Sequence, residues 1–589
     1  MAPWTLLIAL LLPASQGLAA NVCGAQATPI SEIQGRGDTS PLAGDRVTVE
    51  GVLTFDARID GGFDGFYIQQ ADGETDANPE TSEALFIYTR EKTGAPGERL
   101  RVTGTVKEFH GLTELTDIQT IVACGLAPLP HARILTLLWP EALESLENMR
   151  VRVDQPLTIV DSWNLARYGE LTLASGEQVI PTEYLEPGPQ AKELADRNRQ
   201  RKLMLDDGRG VREPRPIPWP PGGLGAENSF RSGDEIRELS GILDYRFDAW
   251  RIQPGEPPIF RSVNARPPAP GRPAEPHVRI MTMNLENYFN GDGAGGGFPT
   301  ARGAPTAMAF EVQQRRLVEA LRRPDPDILA VTELENDGYG KNSAIAQLAN
   351  ALGPKWAFVK TPGADGQDKI RTGLLYRRDR IDAEAPPKRL NSGVFSSRGR
   401  PPLAQIFRPT GQRLAIQVVV SHLKSKSCRG ANGDNRNRND GQGCYAGRRT
   451  EAAHAIVKWI EQLLQAPALA DTLAGTLAGT LITGDLNSYF REAPLSVLRR
   501  AGYTSMVHHF HPCTPQQCDH YTYRYKGEKG SLDYALASPS LKPRILGART
   551  WNINTDEPPS AGYKTSLSDT DASPWRSSDH NPVITDIRL

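Results

Sequence analysis

Eight polar residues after position 277 of this sequence could do chemistry together: Asn284, Glu333, His422, Asp485, Asn487, Asp533, Asp579 and His580. In Leu481-Ile-Thr-Gly-Asp-Leu-Asn-Ser488, Leu481 and Ile482 read as the end of a buried strand, and Gly484 breaks the run. Extended residues i and i+2 point the same way, so Asp485 and Asn487 project together. One is a carboxylate that accepts protons or holds a cation; the other is an amide that donates and accepts. The same pair also suits an Asx turn. Asn284 follows the apolar run 278–283, Glu333 follows 327–332, and His422 follows Val418-Val-Val-Ser. Asp533 lies in Ser531-Leu-Asp-Tyr, and Asp579-His580 precede the last apolar run, 583–587. Any one of these is more often structural than catalytic, but so many at strand ends are hard to explain as turns. Hard oxygen ligands such as Glu333 and Asp579, with the amide of Asn284, suit Mg²⁺ or Mn²⁺ rather than Zn²⁺. A histidine beside a carboxylate, as His580 beside Asp533, can be held in one tautomer as a base or proton relay. With His422 to stabilise a pentavalent phosphorus, the set suits phosphodiester hydrolysis.

The elements that must position these residues alternate between strand and helix over residues 278–589. Val278–Met283, Asp327–Thr332, Thr372–Tyr376, Leu414–Val420, Leu532–Leu536 and Val583–Ile587 read as strands, and Phe310, Leu317, Val318 and Leu321 share a helical face. Two layers of sheet flanked by helices are expected. The Thr-Leu-Ala-Gly duplication at 472–479 carries no chemistry. Residues 264–277 are Pro-rich and read as an extended linker.

Upstream of that linker the pattern is β-rich. Asp45–Thr54 and Glu98–Lys107 alternate, each framed by glycines seven apart, Gly44 with Gly51 and Gly97 with Gly104. With the apolar runs 65–70 and 84–88 they fit a small closed barrel of the OB type over 21–130. Residues 131–263 read as a second β-rich module with long insertions; 192–202 is charged and helical or exposed. Residues 1–20 read as a secretory signal peptide cut near Ala20, although the leading segment lacks Lys and Arg. No later stretch is apolar enough to span a membrane. The 589 residues exceed one core, and a net charge of −2 excludes a global basic field. Six cysteines in an exported chain favour disulfides. Sequence-local pairing, Cys23–Cys124, Cys428–Cys444 and Cys513–Cys518, is the simplest, and no C-x-x-C spacing points to a metal.

In order along the chain, Met283-Asn-Leu, Val331-Thr-Glu, Ser421-His-Leu-Lys, Gly484-Asp-Leu-Asn, Ser531-Leu-Asp-Tyr and Ser578-Asp-His-Asn-Pro-Val resemble the motifs of the endonuclease/exonuclease/phosphatase superfamily. Ser31-Glu-Ile-Gln-Gly, Gly111-Leu-Thr-Glu-Leu, Arg167-Tyr-Gly-Glu-Leu and Leu205-Asp-Asp-Gly resemble the secreted bacterial deoxyribonucleases of that superfamily, with their OB-like N-terminal module. The resemblance implies an α+β chain whose C-terminal domain is a four-layer α/β/β/α sandwich. It implies Asn284, Glu333 and Asp579 at the divalent metal, Mg²⁺ or Mn²⁺, with Ca²⁺ open as a structural ion. Asp485 and Asn487 would orient or activate water, His422 would touch the phosphate, and His580, oriented by Asp533, would be the base or a phosphate contact. Asp368 or Arg371 would fill a substrate-binding place before the strand at Gly373. Residues 428–449 carry Arg429, Arg436, Arg438, Arg448 and Arg449 against Asp434 and Asp440, and read as a backbone clamp. The expected protein is a secreted, extracellular or periplasmic, monomeric nuclease acting on DNA, with RNA left open as a second substrate, and without an obligate protein partner. Whether it cuts internally or from ends stays open. The alternatives are a phosphoesterase on a lipid, inositol phosphate or nucleotide, and a non-catalytic OB-type binder of single strands.

Overall fold

A computed structural model describes residues 22–136, 143–225, 228–363, 365–396, 399–466, 475–514, 517–565 and 572–589. The expected signal peptide and the start of the 472–479 duplication lie outside these residues. The strands Arg46–Asp56, Gly65–Gln69, Ala84–Tyr88, Glu98–Phe109 and Leu112–Leu126 close into a barrel. Alternate residues such as Val47, Val49, Leu100 and Val102 fill it, and Ile30 and Ile33 of a short helix plug it. Closure leaves no edge to pair with another chain. A nine-stranded sheet follows over residues 133–261, and residues 192–200 of the charged stretch fall in the helix Pro189–Gln200.

In the remaining domain two six-stranded sheets pack face to face. One runs Trp356–Phe358, Ile370–Arg377, Ile328–Glu335, Val278–Tyr288, Val583–Ile587, Ile545–Thr550. The other runs Ile381–Arg389, Leu403–Pro409, Ala415–His422, Leu477–Asp485, Asp533–Ala537, Thr504–Ser505. The strand period of two sorts their side chains. Val278 and Ile280 pack between the sheets against Val418, Val420 and Leu481. Met281 and Met283 face outward onto the helices Ala307–Arg322 and Ala344–Leu352. Val419 and Ile482 face the helices Ala446–Gln465 and Ala493–Arg500 on the other side. These strands are covered on both faces, so they read as continuous apolar runs. The four layers are helix, sheet, sheet, helix.

Three local features differ from the sequence reading. Gly484 does not break its strand but lies within it at φ +118°, where a Cβ would come 2.0 Å from the Ser421 carbonyl oxygen. Only glycine allows the two parallel strands to approach there. The strands Ile381–Arg389 and Leu403–Pro409 gave no clear sequence signal. The first holds Pro386 and Pro387, which its edge position and a register shift between Glu384 and Lys388 accommodate. The Pro-rich segment 264–277 is a strap rather than a free spacer. Arg266 donates to both carboxylate oxygens of Glu557 at 3.0 and 2.8 Å, and Arg272 to Asp327 at 2.9 Å. The six cysteines form the three sequence-local bridges.

The middle module is fastened to the last domain by buried charge. Gln178–Val179 pairs in parallel with Glu528–Gly530, so one small sheet is shared. Arg231 donates to Asp556 at 3.3 Å and to the Asn264 and Ala265 carbonyls at 3.0 and 2.8 Å. Asp556, 1% exposed, also accepts from Arg524 at 2.7 Å and from the Tyr521 hydroxyl. Removing one partner of a buried ion pair leaves the other charge uncompensated. Arg231→Ala should therefore cost about 3–5 kcal/mol, read as an earlier urea midpoint of the far-UV transition; a loss under about 1 kcal/mol would mean the joint is solvated.

Candidate active site

Strand register assembles half of the site before any side chain is considered. His422 pairs with Asp485 across the parallel strands, and Asp485 pairs with Asp533 across the antiparallel ones. Their side chains form a row at one end of the second sheet. Asn284, at the same end of the first sheet, donates from Nδ2 to Asp485 Oδ2 at 3.3 Å and bridges the two sheets. Asn487 caps the same carboxylate, its backbone N–H donating to Oδ1 at 2.8 Å and its Nδ2 to Oδ2 at 3.2 Å. Asn487 thus aims Asp485, and its amide also holds the Leu423 carbonyl at 3.2 Å. His580 meets Asp533 Oδ2 through Nδ1 at 2.7 Å, and the Tyr523 ring lies against the imidazole at 4.7 Å between centroids. Ser578 fixes the turn before it by donating to the Asn284 carbonyl at 2.6 Å.

Glu333 projects from the other sheet under backbone strain. Glu286, Asn287 and Glu333 all sit at positive φ, +50°, +56° and +56°. Such residues cost of order 1–3 kcal/mol each unless the surroundings impose them. The Asn287 N–H returns a hydrogen bond to Glu333 Oε2 at 3.0 Å. Both strand pairings of Ile328–Glu335 shift register beside Glu333.

The electrostatics are those of crowded acids. Burial, then the nearby Asp579, raises the proton affinity of Glu333; the same two causes push Glu286 up to about 7. Burial and Asp533 push Asp485 up to about 7. For His580 burial opposes the charge, but Asp533 and Asp579 outweigh it and hold the imidazole well above its usual range. His422 goes the other way: burial and then Arg400 drive it well below. One oxygen of Glu286, Oε2, is buried without a hydrogen-bond partner. Half-buried Glu333 and Asp579, with the Asn284 amide beside them, are hard oxygen donors whose mutual repulsion a divalent cation would relieve. Asp485, Asp533 and His580 also present donor atoms within 4.8 Å of one another. The hydrogen bond between His580 and Asp533 marks that pair as a proton-handling unit, which leaves the Glu333 and Asp579 carboxylates as further oxygen donors for a cation.

Not every residue expected at the substrate reaches it. Arg371 is wholly buried, donating to Asp365 at 2.6 Å and to the Glu335 and Gly338 carbonyls. Arg449 is also wholly buried, and it donates to Ser488 and to the Cys444 and Gln442 carbonyls. Both are internal staples rather than substrate contacts, because their guanidinium donors are already spent. Asp368 stands at the rim in an ion pair with Arg302 at 3.1 Å. Arg436 and Arg438 are exposed on the 428–444 loop, and Arg438 lines a separate hollow with Arg448 and Glu451.

Three features carried no legible sequence signal. Arg400 is buried with Nη1 2.9 Å from His422 Nε2 and Nη2 on the Leu423 carbonyl, yet it comes from a polar loop with no motif. Tyr523 supports His580. The third is a clasp from the middle module. Glu183 accepts from the Ser531 N–H at 3.2 Å and meets His508 Nε2 at 2.7 Å, while Thr182 donates to Glu492 at 3.1 Å. One short segment thereby pins both the 485–492 loop and the start of the Asp533 strand.

These residues fall inside a matched family. The endonuclease/exonuclease/phosphatase family model matches residues 281–580, about half of the chain. The chain belongs to that family. Similar solved structures include humanized D. rerio TDP2, 14% identical, covering 53% of this chain and 99% of its own, with a TM-score of 0.34. The human Nocturnin catalytic domain with bound sulfate is 15% identical, covering 53% and 94%, at 0.33. AP endonuclease LMAP from Leishmania major is 13% identical, covering 53% and 88%, at 0.34. A search of curated protein sequences gave no match.

Two outcomes test the geometry. Asp533→Asn and His580→Ala should be strongly non-additive in kcat/KM, because each removes the same unit; a double variant losing the product of both effects would separate them. Glu183→Ala should slow hydrolysis of a small phosphodiester by at least about tenfold, since displacing the loops that carry the site costs rate. Glu183→Gln, which can still accept from Ser531, should recover part of the loss.

Proposed function

We propose that this protein is a divalent-metal-dependent phosphodiesterase that hydrolyses nucleic acid, DNA first. The observation that supports this best is the composition of one cleft floor. Glu333 and Asp579 lie in it with the His580–Asp533 dyad, Asp485 with Asn487, and the His422–Arg400 pair. Asn284, Glu333 and Asp579 would hold Mg²⁺ or Mn²⁺, which when bound supplies Lewis-acid neutralisation of phosphate and leaving-oxygen charge. The chain's own residues do the rest. Asp485, fixed by three donor contacts from Asn284 and Asn487, orients the attacking water and takes its proton. Asp533 occupies Nδ1 of His580, which leaves Nε2 to meet a phosphate oxygen. Arg400 and His422 add positive charge and a hydrogen-bonding ring behind the phosphate, where charge grows in the transition state.

The substrate class follows from the surroundings of the floor. The cleft measures about 1080 Å³, above the roughly 300–1,000 Å³ of a small-ligand pocket. A long substrate fits that volume better than an inositol phosphate or a nucleotide. Three disulfides suit an oxidising compartment, and among the described residues no helix is long and apolar enough to cross a membrane. Export by the 1–20 segment belongs to the same proposal, and the five-stranded barrel supports the OB-type reading of residues 21–130.

Plasmid, single-stranded DNA, RNA and sphingomyelin should be assayed side by side with and without chelator. Nuclease activity should vanish in excess EDTA and return with Mg²⁺ or Mn²⁺. Glu333→Gln should lose more than about 100-fold in kcat, beyond the usual cost of disturbing a residue behind a metal ligand, with an unchanged melting curve. Full plasmid cleavage in EDTA, or sphingomyelin as the preferred substrate, would overturn the proposal.

A further inference from the structure

The cavity does not stop at the catalytic floor. It continues between two walls, and the middle module supplies part of one of them. That wall is the helix Pro189–Gln200 with the adjoining hairpin of Tyr523–Tyr525 and Glu528–Gly530. The other is the loop 425–443, stapled by Cys428–Cys444. The walls meet at one end, where Gly188 N–H donates to the Asp440 carbonyl at 3.0 Å. There Gly441, at φ +93°, lies so close that a Cβ would stand 2.7 Å from Thr182 Cγ2. The cleft is therefore a built feature shared by two modules whose joint is buried.

Its charge is uneven. On the wall of helix and hairpin Asp196 is paired with Arg199 and Glu528 with Lys202. Lys192 and Lys526 line the same wall and, among the described residues, pair with no acid. The wall thus carries surplus positive charge in a chain whose net charge is −2. It also carries an open aromatic face: Tyr525 is 53% exposed, with Lys526 Nζ 5.7 Å from its ring centroid. Tyr523 and Tyr525 are two residues apart on one strand and share a face. Tyr523 already rests on His580, so Tyr525 is the next aromatic step away from the reacting centre. Across the cleft stand the exposed, uncharged amides of Asn437 and Asn439.

Free lysines, an accessible ring and neutral amides leading away from a phosphate-cleaving floor fit one ligand chemistry. Phosphates meet the lysines, unstacked bases lie on the ring, and the amides bond base edges without a fixed code. A duplex keeps its base faces stacked inside and offers Tyr525 nothing to stack on. We propose that the cleft between the middle module and the 425–443 loop binds a single-stranded stretch of polynucleotide flanking the scissile phosphate, with Tyr525 under a base and Lys192 and Lys526 on phosphates. This rests on the phosphodiesterase reading above and gives the middle module a part in substrate binding.

The test uses the full chain with Tyr525→Ala and with Lys192→Ala/Lys526→Ala, each checked for an unchanged melting curve. Anisotropy with labelled phosphorothioate oligonucleotides of about four to sixteen nucleotides, in Ca²⁺, measures binding apart from turnover. Tyr525→Ala should weaken single-strand binding about tenfold. The double lysine variant should flatten the salt slope by about 1.4, roughly 0.7 per lost contact. Hydrolysis of bis(p-nitrophenyl) phosphate should stay within about twofold of wild type. If the wild type cleaves DNA and the variants bind oligonucleotides as it does, the cleft proposal fails and the nuclease reading stands. Equal losses on blunt duplex and single strand would also overturn it. If the wild type hydrolyses the small diester but neither binds nor cleaves any polynucleotide, the nucleic-acid reading itself is wrong.

Discussion

The crowding of buried and half-buried carboxylates in one floor is the constraint on which the rest of this structure depends. Burial raises the proton affinity of Glu286, Glu333 and Asp485, and the neighbouring Asp579 and Asp533 raise it further. Bringing like charges together in a low-dielectric floor is unfavourable unless other parts of the fold impose it. Several parts do so here. Register locks Asp485 beside Asp533, and positive-φ backbone holds Glu333. His580 and Arg400 place positive charge among the acids. A divalent cation at the Glu333 and Asp579 end, as proposed above, would relieve what remains.

The two sheets divide this work. The first brings Asn284 and Glu333, and the second brings His422, Asp485 and Asp533. The sheets meet through the Thr282 and Thr483 hydroxyls and, one step further along, through the Asn284–Asp485 hydrogen bond. A rigid, dry interface of Val278, Ile280, Val418 and Leu481 sets the spacing beneath that bond. At close packing a small shift on one sheet cannot be absorbed locally and would be felt at the site. The clasp formed by Thr182 and Glu183 extends the same logic outward, tying the 485–492 loop and the start of the Asp533 strand to the middle module.

Much of this was legible in the sequence for a simple reason. A strand reports its faces with a period of two, and a polar residue breaking an apolar run reports the strand's end. Asn284, Glu333, His422, Asp485 and Asp533 could therefore be placed at strand ends, and the structure brings them together with Asp579 and His580 in one floor. Cysteine spacing pointed to the three bridges that form. Charge, by contrast, misled. Arg371 and Arg449 were expected at the substrate, but each has enough oxygen acceptors inside the fold to be buried whole. A guanidinium's fate depends on acceptors supplied by distant segments, and local sequence does not list them.

The sequence by itself determined the alternation of strands and helices in residues 278–589, the strand-end acids and histidines, and the short-range disulfides Cys428–Cys444 and Cys513–Cys518. These properties are written in neighbouring residues. Only the tertiary structure decided that Arg400 stands behind His422, that the Pro-rich segment is bound along its length, and that the middle module walls the active-site cleft. Glu183 and Ser531 are 348 residues apart. A contact of that kind leaves no period and no motif, because it arises from how buried charges find partners when separately folded layers dock.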